Sequence, residues 1–157
     1  MVDNSALNRR TTARLAAVQA LYQMEQTGVG VDTVVLEFKT HRLGSDIEGV
    51  VIQDADTVFF EDTVRGVVRG QAKLDPYLER RLAKGWSLGR LNATARGMLR
   101  AGLYEIANRA DVPVRVVIDE YVEIARSFFD EKEVGFINGV LDASAHDLRS
   151  DELTNDA

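Results

Sequence analysis

A chain of 157 residues, 45% hydrophobic and 28% charged, is long enough for one domain whose core holds a fold unaided. It has no cysteine, which excludes disulfides and thiolate metal or redox chemistry and suits a reducing cytoplasm. The net charge of −6 argues against a general nucleic-acid coat, yet it is segregated: +2 over residues 1–14, −5 over 15–71, +5 over 72–100 and −8 over 101–157, an asymmetry that bears on partners rather than fold.

The periodicity is helical almost throughout. In the first predicted helix, about 7–27, Ala17, Val18, Leu21 and Tyr22 share a face, and Gly28 and Gly30 end it. A short helix at about 32–39 leads into a stretch, 40–52, whose Gly44, Ser45 and Gly49 read as a surface loop. Phe60, Thr63, Val64, Val67 and Val68 mark a helix at about 53–70, and Asp75-Pro76 reads as the start of another at about 74–84. Gly85 and Gly89 bracket a turn around Trp86, after which Asn92 can cap a helix at about 92–109 carrying Ala95, Met98, Leu99, Gly102, Leu103 and Ile106. Pro113 fits the first turn of a helix at about 113–128, with Val114, Val117, Ile118, Tyr121, Val122, Ala125 and Phe128 as its stripe. Ile137, Val140, Leu141, Ser144 and Leu148 define the last, at about 133–149, and the polar, acidic 150–157 is expected to fray. No segment sustains period-two alternation, so no sheet is expected. About seven helices with short connections predict an all-α bundle: a single domain over 1–150, its N-terminal half at about 7–84 and its C-terminal half at about 92–149.

Materials for catalysis are thin. His41 and His146 have no second imidazole at helical spacing and read as exposed bystanders, so no metal is expected. Asp119, Glu120 and Glu123 lack the Glu-x-x-His pattern of a di-metal helix and instead form a charged outer face with Arg115 and Arg126. The glycines never build a phosphate loop after a strand, and no serine sits in a nucleophile elbow. Neither an enzyme nor a cofactor is expected. No run approaches the ~20 apolar residues of a membrane span, and residues 1–14 lack the apolar stretch of a signal peptide.

Cations are the better lead. Arg10 and Arg14 are spaced i, i+4, with Arg9 beside them, and guanidiniums displayed this way can grip phosphates. Arg90, Arg96 and Arg100 form a second set. Phe136 and Asn138 lie near the start of the last helix, where a ring and an amide suit single-stranded RNA, whose bases splay out to be stacked and hydrogen-bonded. Phe136 serves equally well as a second core contact in a wide apolar stripe.

Four segments then carry a resemblance. ARLAAVQALYQME at 13–25, LRAGLYEI at 99–106, DVPVRVVIDEYVEIARSF at 111–128 and FINGVLD at 136–142 closely resemble the NusB family of bacterial transcription antitermination factors; residues 28–90 match in helical character only. The resemblance implies an all-helical fold of two three-helix halves packed together, and a function without catalysis. It implies pairing with NusE, a small-subunit ribosomal protein, binding of the boxA element of nascent RNA by that pair, and assembly with RNA polymerase and other Nus factors, notably in ribosomal RNA operons. Carried over, Arg10 and Arg14 match arginines of the family's basic motif, with Arg9 beside them. Arg100 matches a basic residue, and Phe136 and Asn138 match the Phe and Asn of the last helix.

Departures are visible. Thr11 and Thr12 stand where further basic residues are common, Asp119 stands where Asn is usual, and Ala95 stands where some relatives carry an acid. Residues 84–91 are longer and richer in glycine than the family pattern. The family domain also precedes the catalytic half of some ribosomal RNA cytosine methyltransferases, but a chain ending at 157 leaves no room for a cofactor-binding domain. A helical adaptor that binds only protein is the remaining alternative. The pattern leaves both a monomer and a homodimer open.

Overall fold

The structure, a computed structural model, describes residues 4–43, 46–47, 50–51 and 55–155. Among these the order is α1 (Asn4–Thr27), α2 (Val31–His41), β1 (Asp46–Ile47), β2 (Val50–Val51), α3 (Thr57–Glu79), a 3-10 turn at Leu88–Arg90, α4 (Ala93–Asn108), α5 (Val114–Arg126), α6 (Glu131–Leu148) and α7 (Ser150–Asn155). The chain divides into two compact units, Met1–Val68 and Arg69–Ala157.

The first unit is built on small residues. Ala13, Ala16, Ala17 and Ala20 of α1 are buried with Val18 and Leu21, which lets the neighbouring helices approach closely. α2 adds Val34, Val35 and Phe38, and the start of α3 adds Phe59, Phe60, Val64 and Val67. Phe38 and Phe60 stack at 5.5 Å between ring centroids. Part of the stretch expected to be a loop forms a minimal antiparallel hairpin, with Asp46 opposite Val51 and Ile47 opposite Val50. Two residues per strand are too few to show an alternating pattern, so the sequence carries no signal for it.

The second unit forms around α4. Ten of its sixteen residues are buried, and it packs against α5 and α6, which also pack on each other. Gly102 permits the closest approach: a Cβ there would lie 2.9 Å from Leu141 Cδ2 of α6. α5 presents Val114, Val117, Ile118, Tyr121, Val122 and Ala125 inward, as its periodicity predicts, and α6 presents Val134, Ile137, Val140, Leu141 and Ala145. The predicted stripes fade at their ends, where Tyr22, Val68, Phe128 and Leu148 are exposed.

Three boundaries differ from expectation. The predicted helices at 53–70 and 74–84 are one continuous α3, with Pro76 inside it. Leu74 and Leu78 are buried on either side of the proline, and Asp75 is held by Arg100 at 2.9 Å through both oxygens. Tertiary anchoring here offsets the cost of a prolyl residue in a helix. The division between units consequently falls inside α3 rather than at 84–92. Residues 150–155, expected to fray, form α7, because Glu152 accepts the Val114 backbone N–H at 2.6 Å and pairs with Arg149 at 3.1 Å. That acid caps α5, whose N-cap position is held by Pro113 with no side-chain bond.

Arg149 also closes the other end of α4. Its guanidinium donates to the carbonyls of Glu105, Ile106, Arg109 and Val112 at 2.6–3.0 Å. Leu103, 1% exposed in the middle of α4, tests the centre of this unit. Leu103→Ala is expected to cost about 2–5 kcal/mol through lost burial and the cavity left behind, read by denaturant unfolding. A loss below about 0.5 kcal/mol, the range of surface positions, contradicts the core assignment.

Candidate nucleic-acid interface

In the first unit the basic start of α1 is organised by one ring. The Arg10 and Arg14 guanidiniums each lie 4.8 Å from the centroid of Phe59. Asp56, just before α3, accepts the Phe59 backbone N–H at 2.9 Å and stands 3.5 Å from Arg10 Nε. Arg9 is exposed and Arg10 half-exposed, but Arg14 is only 1% exposed. The expected pair of displayed arginines is thus corrected. Arg14 precedes Ala17, Val18 and Leu21 by three, four and seven residues, which places it on the buried stripe of α1. Its role in this structure is packing and cation–π contact with Phe59.

Of the second set of cations, Arg96 and Arg100 turn inward and Arg90 is exposed. Arg100, expected to contact RNA, has an 11% exposed side chain and is bound bidentately to Asp75. Arg96 donates to the Leu88 and Leu91 carbonyls at 3.0 and 2.7 Å. Glu79 accepts the Leu88 N–H at 2.8 Å. These two side chains hold the 3-10 turn and fix the 84–91 loop against α4. Gly85, at φ +90°, gives that loop its left-handed bend, and Arg90 donates to the Gly85 carbonyl at 3.0 Å across it. At the end of α3, Arg81 stacks on Tyr77 at 3.4 Å, and both donate to Asp147 of α6 at 2.7 and 2.6 Å. Burial first, and then this bond to the Asp147 carboxylate, push the Tyr77 phenol up to about 12.

What the loop builds is a groove of about 480 Å³, lined by Trp86, Leu91, Ala95, Phe129, Phe136 and Ile137, with Arg90, Asn92, Lys132 and Glu133 also contributing. Phe136 is half-buried and lines the groove. Asn138 is exposed on α6, but two residues along a helix is a turn of about 200°, so it does not share the Phe136 face. Trp86, Phe129 and Lys132 join the site without having been expected there. Their signal in the sequence is a lone tryptophan in a glycine-bracketed turn, which helical periodicity does not score.

Fold and surface together define a predominantly helical protein with exposed cations and partly exposed rings. A model of the NusB family matches residues 11–146. The transcription antitermination protein NusB of Caulobacter vibrioides is 57% identical over 148 residues, covering 94% of this chain and 99% of that one. The corresponding Rhodopseudomonas palustris protein (strain BisB18) is 51% identical, covering 94% and 87%. Among solved structures, Thermotoga maritima NusB superposes with a TM-score of 0.74 at 29% identity, covering 92% of this chain and 96% of that one. A NusB chain solved with NusE and double-stranded RNA superposes at 0.70 with 25% identity, covering 87% and 96%. The chain belongs to the NusB family, a family of transcription antitermination factors.

The two arginines on Phe59 are expected to separate. Arg14→Ala should cost more than about 2 kcal/mol, since it removes a desolvated cation–π contact and buried packing. Arg10→Ala should cost at most about 1 kcal/mol, as a surface charge does. Equal costs in urea unfolding contradict the burial difference.

Tyr77 gives an alkaline signature. Its folded pKa lies above the ordinary 10, so its contribution to stability is complete below pH 10 and is lost as pH rises through about 12. Thermal unfolding should therefore show a stability loss over that window which Tyr77→Phe reduces. An unchanged alkaline profile in the variant removes the Tyr77–Asp147 bond as its cause.

Proposed function

We propose that this chain acts in transcription antitermination by binding boxA-type RNA together with the ribosomal protein NusE, and that the pair joins RNA polymerase with other Nus factors, notably on ribosomal RNA operons. The observation that carries this reading is the aromatic groove with Arg90 and Lys132 in its lining, in a chain of net charge −6. Lys84, Arg90 and Lys132 are exposed around it, which suits phosphate contact next to base stacking. Arg9 and Arg10 supply a separate basic patch on the first unit. The relation to a NusB chain solved with NusE and double-stranded RNA supports both partners. The role is one of binding without catalysis, and its site of action is the cytoplasm; among the described residues no helix is long and apolar enough to cross a membrane.

Arg14 and Arg100 have structural work in this reading, and the phosphate contacts fall to Arg9, Arg10, Lys84 and Arg90. Arg9→Ala with Arg10→Ala should weaken binding of a boxA-type RNA. The same pair of changes should flatten the dependence of log affinity on log salt by about 1.4, near 0.7 for each phosphate of a single strand that is no longer neutralised. Fluorescence anisotropy of labelled RNA at several salt concentrations, with and without NusE, measures both. Unchanged affinity and slope remove the start of α1 from the RNA site. Absence of RNA binding by the wild type in either condition refutes the reading and leaves a protein-only adaptor.

A further inference from the structure

We infer that the groove between the 84–91 loop and α6 is a receptor for one unpaired nucleobase, with Trp86 as its stacking lid. The inference rests on the RNA reading and assigns a residue and a strand state to it. Trp86 is 55% exposed, although a large aromatic ring in a loop gains most by covering apolar surface. The groove beside it is lined by Phe129 and Phe136 from the α5–α6 side and by Leu91 and Ala95 from the α4 side. Its volume of about 480 Å³ falls within the range of about 300–1,000 Å³ typical of small-ligand sites.

Charge selects the occupant. Arg90, Lys132 and Glu133 line the groove, and Lys84 is exposed two residues before Trp86. The start of α6 carries the opposite sign, since Asp130, Glu131 and Glu133 are exposed there and Asp130 caps the helix through the Lys132 and Glu133 N–H groups. A phosphodiester backbone is therefore drawn along the Lys84–Arg90 side and repelled from the helix start, which leaves the base as the part that enters. Asn92 holds the Thr94 N–H through Oδ1 at 2.8 Å, so its Nδ2 amine is the donor available to a base carbonyl. The loop is braced by Glu79 and Arg96 at Leu88 and by Arg96 at Leu91, so Trp86 is presented on a fixed frame. A base can enter only when unstacked from its neighbours and unpaired, which makes the groove a discriminator between single and double strands.

Trp86 is the chain's one tryptophan, so its own fluorescence reports the event. A labelled boxA-type oligoribonucleotide is titrated into the full chain while label anisotropy and Trp86 emission are followed together, then repeated with the same RNA annealed to its complement. The single strand should quench Trp86 in parallel with the anisotropy, and the duplex should bind without quenching. Trp86→Ala should weaken single-strand binding about 5- to 150-fold and leave duplex binding within about twofold, while Trp86→Phe, which keeps a stacking face, should retain affinity within about threefold. Circular dichroism on each variant checks the helical fold. Anisotropy without quenching, or equal losses for both RNAs in a folded Trp86→Ala, overturns the base pocket and leaves RNA binding standing. No anisotropy change with either RNA, in the presence of NusE as well as in its absence, overturns both. Quenching by NusE in the absence of RNA, with loss of NusE binding in Trp86→Ala, assigns the groove to protein and overturns the inference.

Discussion

A helix buried on most of its sides must have every polar group on it answered from within, and α4 is the helix on which this constraint falls. Ten of its sixteen residues are buried, all of them between Ala95 and Ile106, and the orphan groups of its termini are answered largely by side chains. Asn92 answers the N-terminal end by accepting the Thr94 N–H, and Arg149 reaches the carbonyls of Glu105, Ile106 and Arg109 at the other. Glu105, fully buried, accepts the Tyr121 hydroxyl at 2.6 Å. Arg100 takes Asp75 and so decides that α3 continues past its proline. The need to satisfy one central helix thereby sets the position of its neighbours' polar side chains.

That same need sorts the basic block at 72–100. On composition its residues are equivalent, and the block looks like one cationic face. The structure divides them by what lies beneath: Arg96 and Arg100 stand on α4 and turn to carbonyls and a carboxylate, and Arg81 stacks on Tyr77. Lys84 and Arg90 lie in the loop outside α4 and are exposed. The inward arginines still act on the surface, because Arg96 fixes the turn that carries the groove wall. In the proposed reading they position the interface and do not form it.

The helices of the second unit are legible in the sequence because amphipathic periodicity is a direct consequence of burying one face, and the inward residues of α5 and α6 match it closely. Elements decided at a distance are not. Asp75-Pro76 obeys the local rule for a helix start, and tertiary contacts override it: the burial of Leu74 and Leu78 and the hold of Arg100, 25 residues away, on Asp75. The acidic tail has no apolar stripe to announce α7; its order comes from a backbone N–H at Val114, 38 residues earlier. At the site, the pattern that buries Arg14 is in plain view. Its charge suggests exposure, but its spacing from Ala17, Val18 and Leu21 puts it on the inner face, and the spacing decides. Trp86 is a different case, because a loop residue has no period and its partners follow only from how the loop is pinned.

The removal of Arg14 and Arg100 from the exposed set has a consequence for how the family's proposed role is carried out here. Nonspecific affinity for nucleic acid scales with the phosphates neutralised, and this chain carries 25 acidic against 19 basic side chains, a net charge of −6. At physiological salt the field of the acidic surfaces is screened beyond about 8 Å, so those surfaces orient a strand nearby without barring it from the rim. Such a protein has the means to choose an RNA, through a groove and its flanking charges, but little means to hold one by charge alone. A second RNA-contacting protein bound alongside turns a weak contact into an intramolecular one at high effective concentration, and the joint affinity rises without any new contact on this chain. In the proposed reading, the net negative charge is what makes a paired mode of RNA recognition physically favourable: selection would rest on the groove, and retention on the pair.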